Sequence, residues 1–256
     1  MIELRNISFS YNSELILDSI SFEVKEGERI VLLGVNGSGK STLLKLIDAL
    51  IFPNSGEYYF KGSKIDKKIF KNNEFSINFR KSVVMLFQNP EVMLFNPTVY
   101  DEIAFGLRQL NLQDNIDDSV RRWANILHID KYLDLPPMEL SGGEKQKVAL
   151  ASLLVLEPSL LLLDEPMANL DPRSQGMLLD LLYELPVTTI ISTHNLSLAA
   201  ELGERAILLS ENHQLIYDGD VYSLLSNEQI LIKANLIHKH KHKHESLYHT
   251  HYHKHL

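Results

Sequence analysis

The chain contains no cysteine, which excludes disulfide scaffolds, thiolate metal sites and cysteine nucleophiles. It has no run of 18 uninterrupted apolar residues, so we expect no membrane-spanning helix. The first residues, MIELRNISFS, lack a basic segment followed by an apolar run, and we therefore expect no signal peptide. What is present is a chain of 256 residues, 45% of them hydrophobic, which can bury the core of one large domain.

The chain also lacks an excess of basic residues over most of its length. Residues 233 to 256 carry five lysines and one glutamate, which leaves 20 basic and 32 acidic residues in the rest. An acidic body is not suited to binding the phosphate backbone of a nucleic acid, so we expect no nucleic-acid partner.

Strand-length apolar runs alternate with helical patterns, which predicts an α/β fold with a mostly parallel sheet and helices on both faces. We also expect an antiparallel β part. Residues 98 to 156 have a helical pattern and interrupt this alternation. We predict one main domain over residues 1 to 232 with an inserted helical subdomain at about 90 to 157. The lysine-rich stretch from Lys64 to Lys81 shows no clear periodicity and is predicted to be a solvated loop.

A phosphate-binding loop follows the apolar run from Arg29 to Leu33. The sequence GVNGSGKST has the G-x-x-x-x-G-K-[ST] pattern between a strand and a helix, where backbone N–H groups and the helix N-terminus face a phosphate. Lys40 is expected to reach the β- and γ-phosphates, and Ser41 to hold Mg²⁺. The predicted ATP-binding residues of the loop are Gly34, Asn36, Gly37, Ser38, Gly39, Lys40, Ser41 and Thr42.

Two further motifs carry chemistry that suits a nucleotide. LLLLDEP is an apolar strand that ends in Asp164 and Glu165, which suit a magnesium contact and a general base. LSGGE, at Leu140 to Glu144, places a serine and two glycines at the start of a helix, a second anion-binding terminus. One nucleotide cannot easily occupy two such termini in one compact chain, so the second predicts a dimer in which each subunit completes the other's site.

Together these motifs resemble those of the ATP-binding cassette (ABC) ATPases, and the resemblance covers nearly all of residues 1 to 232. The chain also has this family's glutamine at Gln88, the NLDP segment at Asn169 to Pro172 and the switch histidine His194, all in the family's order.

The resemblance implies a role for each matched residue. It implies that Tyr11 stacks on adenine, that Ser41 and Gln88 ligate Mg²⁺ together with Asp164, and that Glu165 polarises the attacking water. It implies that His194 contacts the γ-phosphate. Finally, it implies that the signature residues contact the ATP held by the opposing subunit; they are Ser141, Gly142, Gly143 and Glu144.

The stretch from Phe87 to Leu112 is similar to the energy-coupling-factor group of importer ATPases, which includes cobalt and nickel uptake systems. This similarity implies an ATPase that acts as a homodimer, or as a heterodimer with a paralogue, at the cytoplasmic face of the membrane. Its implied partners are a transmembrane coupling subunit and a substrate-binding membrane component.

Histidines and lysines dominate the tail, which we define as residues 233 to 256 and predict to be flexible and metal-binding. Spacing two in an extended chain puts four imidazoles on one face, and neutral imidazole is a good ligand for Ni²⁺, Cu²⁺, Co²⁺ and Zn²⁺. The candidate ligands form two quartets: His238, His240, His242 and His244, and then His249, His251, His253 and His255. A solvating segment and a purification tag are the alternative interpretations.

The hypothesis from sequence is therefore an ABC ATPase that drives uptake of nickel or cobalt. Vitamin uptake by the same motor remains open, as do metal storage through the tail and a soluble ABC ATPase acting on DNA or ribosomes. The last alternative calls for two cassettes, a coiled-coil insertion or a basic surface, and the sequence has none of these.

Overall fold

The computed structural model describes residues 1–112, 115–168, 170–244 and 247–254, with side chains described as far as Ile237. The chain divides into two compact units. Unit 1 consists of residues 1–66 and 188–256, and unit 2 consists of residues 67–187.

An antiparallel sheet forms the first part of unit 1. Alternate residues of its first strand are buried, as the period-two pattern predicts for a sheet with one face on the core. The strands lie in the order β2-β1-β4-β5. They are β1 (Ile2–Tyr11), β2 (Glu14–Val24), β4 (Ser55–Phe60) and β5 (Ser63–Lys64).

Parallel strands form the second part of unit 1. The central strand, β3 (Arg29–Leu33), pairs in parallel with β8 (Thr188–Thr193) on one side and with β9 (Arg205–Leu209) on the other. The edge strand β10 (Leu215–Asp220) runs antiparallel to β9. All residues of β8 and all but the first of β3 and β9 are buried, as expected for parallel strands covered on both faces.

Short helices complete unit 1. The helix α1 (Lys40–Ile47) follows β3, and α7 (Leu196–Leu202) follows β8. Near the C-terminus, α8 (Val221–Leu225) and α9 (Glu228–Lys233) precede a backbone hairpin of β11 (Ile237–His244) and β12 (Leu247–Lys254).

The described residues of unit 2 form two parallel strands and most of the longer helices. The strand β6 (Val83–Leu86) pairs with β7 (Leu160–Asp164), and every residue of both strands is buried. The helices of unit 2 are α2 (Asn73–Ser82), α3 (Val99–Gln109), α4 (Ile116–Ile126), α5 (Gly142–Leu154) and α6 (Pro172–Glu184).

The prediction of a solvated loop from Lys64 to Lys81 is wrong. This stretch contains a 3₁₀ turn (Ile69–Lys71) and the helix α2, and Asn72 caps the helix by accepting a hydrogen bond from the backbone N–H of Phe75. Phe75 and Phe79 are one helical turn apart and pack on Phe70, with ring centroids 5.7 and 5.1 Å away. The many lysines of this stretch made the helical spacing of its apolar residues difficult to recognise in the sequence.

A buried hydrogen bond ties the phosphate-loop helix to the antiparallel sheet of unit 1. The hydroxyl of Tyr58, in β4, donates to the carbonyl of Ile47 at the end of α1, at 2.7 Å. Replacing Tyr58 with phenylalanine removes the donor and leaves a buried carbonyl without it. We expect this variant to lose about 1–2 kcal/mol of unfolding free energy in urea titrations. Tyr59→Phe, which alters a contact on the sheet's solvent side, serves as the control, and equal losses in the two variants would contradict the prediction.

Candidate functional site

The phosphate loop of unit 1 adopts a backbone that requires glycine. Gly39 immediately precedes α1 and has φ of 103°, in the left-handed region. A Cβ at this position would lie 2.6 Å from the carbonyl oxygen of Ile16 in β2. The loop therefore passes so close to the antiparallel sheet that no side chain fits between them.

The side chains inside the loop fit a phosphate group. The Lys40 ammonium is buried and donates to the carbonyls of Gly34 and Val35, at 2.7 and 3.2 Å. The hydroxyl of Ser38 is buried and has no hydrogen-bond partner among the residues that the structure describes. A buried cation, an unpaired hydroxyl and a helix N-terminus are the features that a bound phosphate satisfies together.

His194 lies at the same edge of the parallel strands as the phosphate loop. The last residue of β3, Leu33, is in register with Thr193, the last residue of β8. Gly34 directly follows Leu33, and His194 directly follows Thr193. The turn at His194 is held by the Thr193 hydroxyl, which accepts from the backbone N–H of Asn195 at 3.0 Å. The structure thus brings together two predicted site elements that are about 160 residues apart.

Tyr11 lies at the tip of the hairpin between β1 and β2. Its ring is 44% exposed and packs edge-on against Phe9, with centroids 4.8 Å apart. Tyr11 is in register with Glu14, two residues before Ile16, whose carbonyl meets the phosphate loop at Gly39. An exposed, braced aromatic ring near the loop suits stacking on a base.

In unit 2, Gln88 and the Asp164–Glu165 pair lie at one strand edge. Leu86, which ends β6, is in register with Leu163, so Gln88 lies two residues beyond the end of β6 while Asp164 ends β7 and Glu165 follows it. Asp164 and Glu165 are 3% and 8% exposed. Glu165 has φ of 48°, a left-handed conformation that is costly for a residue with a side chain and that is found at functional sites.

The signature residues begin α5 in unit 2, and Glu144 holds the signature serine. The Glu144 carboxylate accepts hydrogen bonds from the hydroxyl of Ser141 at 2.6 Å, from its backbone N–H at 2.9 Å and from the hydroxyl of Tyr132. These bonds lower the pKa of Glu144 to about 2, the Ser141 hydroxyl having the largest effect. Gly142 and Gly143 form the first turn of the helix.

This low pKa predicts a pH-dependent contribution to stability. Because the pKa is lower in the folded than in the unfolded state, Glu144 stabilises the fold fully above about pH 4.5, and the stabilisation is lost as the pH falls toward 2. Glu144→Gln should therefore be less stable than the parent at pH 7, and the difference should shrink at pH 3. Urea unfolding at both pH values measures this. The control is Glu139→Gln, and a Glu144→Gln difference that is constant with pH would contradict the prediction.

Several contacts in unit 2 involve residues that the sequence motifs did not single out. Gln146 of α5 donates through its amide to the carbonyl of Pro166, the residue after Glu165. Lys145, on the same turn of α5, forms an ion pair with Glu91. The only sign of these contacts in the sequence is that Lys145 and Gln146 are polar residues at helix positions that are buried. This sign does not identify the residues that they contact.

The segment after Glu165 leads into α6. Asn169 lies outside the described residues. Asp171 caps α6 by accepting from the backbone N–H groups of Arg173 and Ser174, at 3.0 and 3.2 Å. Gln175 donates to the carbonyls of Met167 and Leu170, both at 3.1 Å. The described part of this segment is therefore fixed by hydrogen bonds at both of its ends.

Two features are absent from the described part of the chain. No helix there is long and apolar enough to cross a membrane. No group of three or more histidine, aspartate or glutamate side chains there is placed to hold a metal ion. The side chains of His238, His240, His242, His244, His249, His251 and His253 lie outside the described residues, as does the whole of His255.

Comparison with known proteins identifies the family. The family model described as "ABC transporter" matches residues 17–168. A putative ABC transporter ATP-binding protein of Methanosarcina acetivorans is 46% identical over 93% of this chain and 89% of that protein. The nickel import ATP-binding protein NikO of Rhodobacter capsulatus is 39% identical over 92% of this chain and 95% of that protein.

The chain belongs to the ABC transporter family.

Solved structures of ABC ATPases have the same fold. CbiO1 from Clostridium perfringens, described as part of the ABC transporter complex cbiONQ, is 30% identical with a TM-score of 0.76 and covers 92% of this chain and 94% of its own. The cassette MJ0796, a dimer bound to ADP and phosphate, is 26% identical with a TM-score of 0.74 and covers 86% and 99%. The predicted fold class, a phosphate-loop NTPase core of ABC type, is confirmed.

The protein is thus the ATP-hydrolysing subunit of an ABC transporter. It uses ATP and Mg²⁺, and the buried Lys40 and the unpaired Ser38 hydroxyl fit that use. Of the two solved structures, MJ0796 is a dimer and CbiO1 is part of a transporter complex.

Proposed function

We propose that this ABC ATPase powers the uptake of a transition-metal ion, nickel or cobalt, through membrane partners of the energy-coupling-factor type. The observation that carries the proposal is the paired histidine pattern of the tail. The similarity to a nickel import ATPase and to a subunit of the cbiONQ complex supports it. In this proposal the ATPase is peripheral, at the cytoplasmic face of the membrane, and acts as a homodimer or as a heterodimer with a paralogue. Its membrane partners are a coupling subunit and a substrate-binding component.

The residues of the phosphate loop bind the nucleotide in this proposal. Lys40 contacts the β- and γ-phosphates, and the hydroxyl of Ser41 ligates Mg²⁺. The backbone N–H groups of the loop hold the phosphates, and the Ser38 hydroxyl gains a partner. Tyr11 stacks on the adenine ring, which its exposure permits.

The hydrolytic roles belong to the strand ends and to the signature. Gln88 and Asp164 provide oxygen ligands for Mg²⁺, and Glu165 takes a proton from the attacking water. His194 contacts the γ-phosphate. Ser141, Gly142, Gly143 and Glu144 contact the ATP of the opposing subunit, so that hydrolysis depends on dimer closure.

The tail backbone supports the metal hypothesis through its register. In the hairpin, His238 pairs with His253, His240 with His251, and His242 with His249, while the residues between them are lysine, tyrosine and threonine. Because successive residues of a strand alternate between the two faces, one face carries only histidine and the other carries none at these positions. We propose that the histidine face binds Ni²⁺ or Co²⁺.

A composition-conserving variant tests the tail hypothesis. Exchanging His240 with Lys241 and Thr250 with His251 keeps every residue type but moves two histidines to the opposite face. Calorimetric titration of the purified protein with Ni²⁺ should then give weaker binding or fewer bound ions than in the parent. Equal binding in both would show that the histidines act without the hairpin register, and no binding in the parent would refute the metal role of the tail.

Uptake of labelled nickel and cobalt in cells that carry the membrane partners tests the transport proposal. The comparison includes the intact chain, Glu165→Gln, and a truncation after Ile237. The cut follows Ile237 because Leu236 and Ile237 are 2% and 5% exposed and belong to the core. Metal uptake abolished by Glu165→Gln supports the proposal. An active ATPase with no metal uptake in the intact system would refute the metal substrate and favour a vitamin or another small solute.

A further inference from the structure

An ion pair in unit 2 links the start of the signature helix to the segment that follows Gln88. The ammonium of Lys145, in the first turn of α5, lies 2.7 Å from a carboxylate oxygen of Glu91. Glu91 belongs to a 3₁₀ turn (Pro90–Met93) that begins two residues after Gln88. The two partners are 54 residues apart in sequence.

The environment of Lys145 makes this pair necessary. Its side chain is only 11% exposed, and the N-terminal turn of a helix carries positive partial charge. Both conditions disfavour an ammonium ion, and the nearby carboxylate of Glu91 offsets them. Glu91 is 51% exposed and supplies this carboxylate from the solvent side. Loss of Glu91 therefore leaves a poorly solvated cation, which favours a rearrangement of Lys145 and of the first turn of α5 that carries it.

Both ends of the pair lie next to functional elements. The residue before Lys145 is Glu144, which holds Ser141, and the residue after it is Gln146, which holds Pro166 beside Glu165. A shift of this helical turn would consequently displace the signature serine and the turn at Glu165 together.

At the other end, the 3₁₀ turn of Glu91 leads into an exposed apolar surface. Val92 and Phe95 are 68% and 65% exposed, although both are large apolar side chains. The Glu102 carboxylate fixes the following backbone by accepting from the N–H groups of Phe95 and Asn96, both at 2.8 Å. The segment is therefore rigidly held and joined to α5 through Glu91.

We propose that Glu91 and Lys145 form a positioning pair that holds the signature serine and the Glu165 turn in the geometry needed for hydrolysis. The pair does not touch the nucleotide, and the phosphate loop that binds ATP belongs to the other unit, so we expect loss of the pair to lower turnover with little change in KM. The proposal rests on the proposed roles of Ser141 and Glu165 in hydrolysis.

Steady-state ATPase kinetics of pair variants test the proposal. Lys145→Met and Glu91→Gln should each lower kcat by roughly tenfold or more, with KM changed by less than about twofold, because misplacement of catalytic groups costs rate. The double variant should be no slower than the slower single variant, because both remove the same interaction. The charge exchange Glu91→Lys with Lys145→Glu should recover a large part of kcat.

An exposed ion pair of the same unit supplies the control. Arg122 and Glu157 lie 3.3 Å apart with side chains 58% and 67% exposed, and Arg122→Met and Glu157→Gln should leave kcat unchanged. The proposal is overturned if Glu91→Gln, the milder of the two changes, folds with an unchanged kcat. It is equally overturned if KM rises instead, or if the Arg122 and Glu157 controls slow hydrolysis as much.

Reference variants separate this proposal from the one on which it rests. Ser141→Ala and Glu165→Gln are measured in the same assay. If neither slows hydrolysis, the proposed roles of the signature and of Glu165 fail. If both slow it while the Glu91 and Lys145 variants do not, only the positioning pair fails.

Discussion

Replacing Glu165 with glutamine should slow ATP hydrolysis by roughly 10²–10⁴-fold, which is the usual contribution of a general base. The amide has nearly the same shape as the carboxylate but cannot take a proton from water. Glu165 is in unit 2, whereas the phosphate loop is in unit 1, so the loop itself is not altered. We therefore expect ATP to bind with nearly unchanged affinity, which equilibrium titration of the purified protein measures alongside phosphate release.

Glu157 provides an unusually close control for this variant. It is also a glutamate of unit 2, and with φ of 51° it shares the left-handed backbone of Glu165, but its side chain is 67% exposed. Glu157→Gln should hydrolyse ATP at the parental rate. Near-parental turnover in Glu165→Gln would refute the assignment of Glu165 as the general base. Equal slowing in both variants would indicate that the effect comes from the left-handed backbone that the two positions share.

Replacing Lys40 with alanine should raise the dissociation constant for ATP by roughly 10- to 100-fold. A hydrogen bond to a charged group contributes about 1.5–3 kcal/mol, and Lys40 is the cation buried inside the phosphate loop. Its ammonium also donates to the carbonyls of Gly34 and Val35, so the lysine closes the loop on itself. The measurement is equilibrium binding of ATP, with hydrolysis followed in parallel.

Lys45, on the same helix α1, is the matched control for Lys40. Its side chain is partly exposed in the last turn of the helix, away from the loop. Lys45→Ala should bind ATP with parental affinity. If Lys40→Ala binds ATP as the parent does while remaining folded, the loop does not hold the phosphates as proposed.

The parts of the site that could be predicted from sequence are those encoded in short segments. The phosphate loop needs glycine at Gly39, a lysine and a hydroxyl within a few residues, so its chemistry and its conformation are visible together. The strand ends at Asp164 and His194 were predicted because an apolar run fixes where a buried strand stops. In each case the residues that determine the local conformation lie beside the residues that carry the chemistry, so one short segment shows both.

The contacts that could not be predicted join residues distant in sequence. Lys145 and Glu91 are ordinary charged residues in the printed chain, and only the packing of α5 on the 3₁₀ turn makes the lysine buried. The helix α2 could not be recognised because the many lysines of this stretch obscure the helical spacing of Phe75 and Phe79. The ring on which both pack, Phe70, lies outside the helix. Such features arise from tertiary packing, which periodicity does not report.

The left-handed backbone at Glu165 has a consequence for engineering. A residue with a side chain costs roughly 1–2 kcal/mol in this conformation, while glycine adopts it freely and asparagine tolerates it. A laboratory screen that rewards heat resistance alone would therefore enrich glycine or asparagine at position 165. The proteins recovered would melt later and turn over slowly, so any such selection must include a growth requirement for transport.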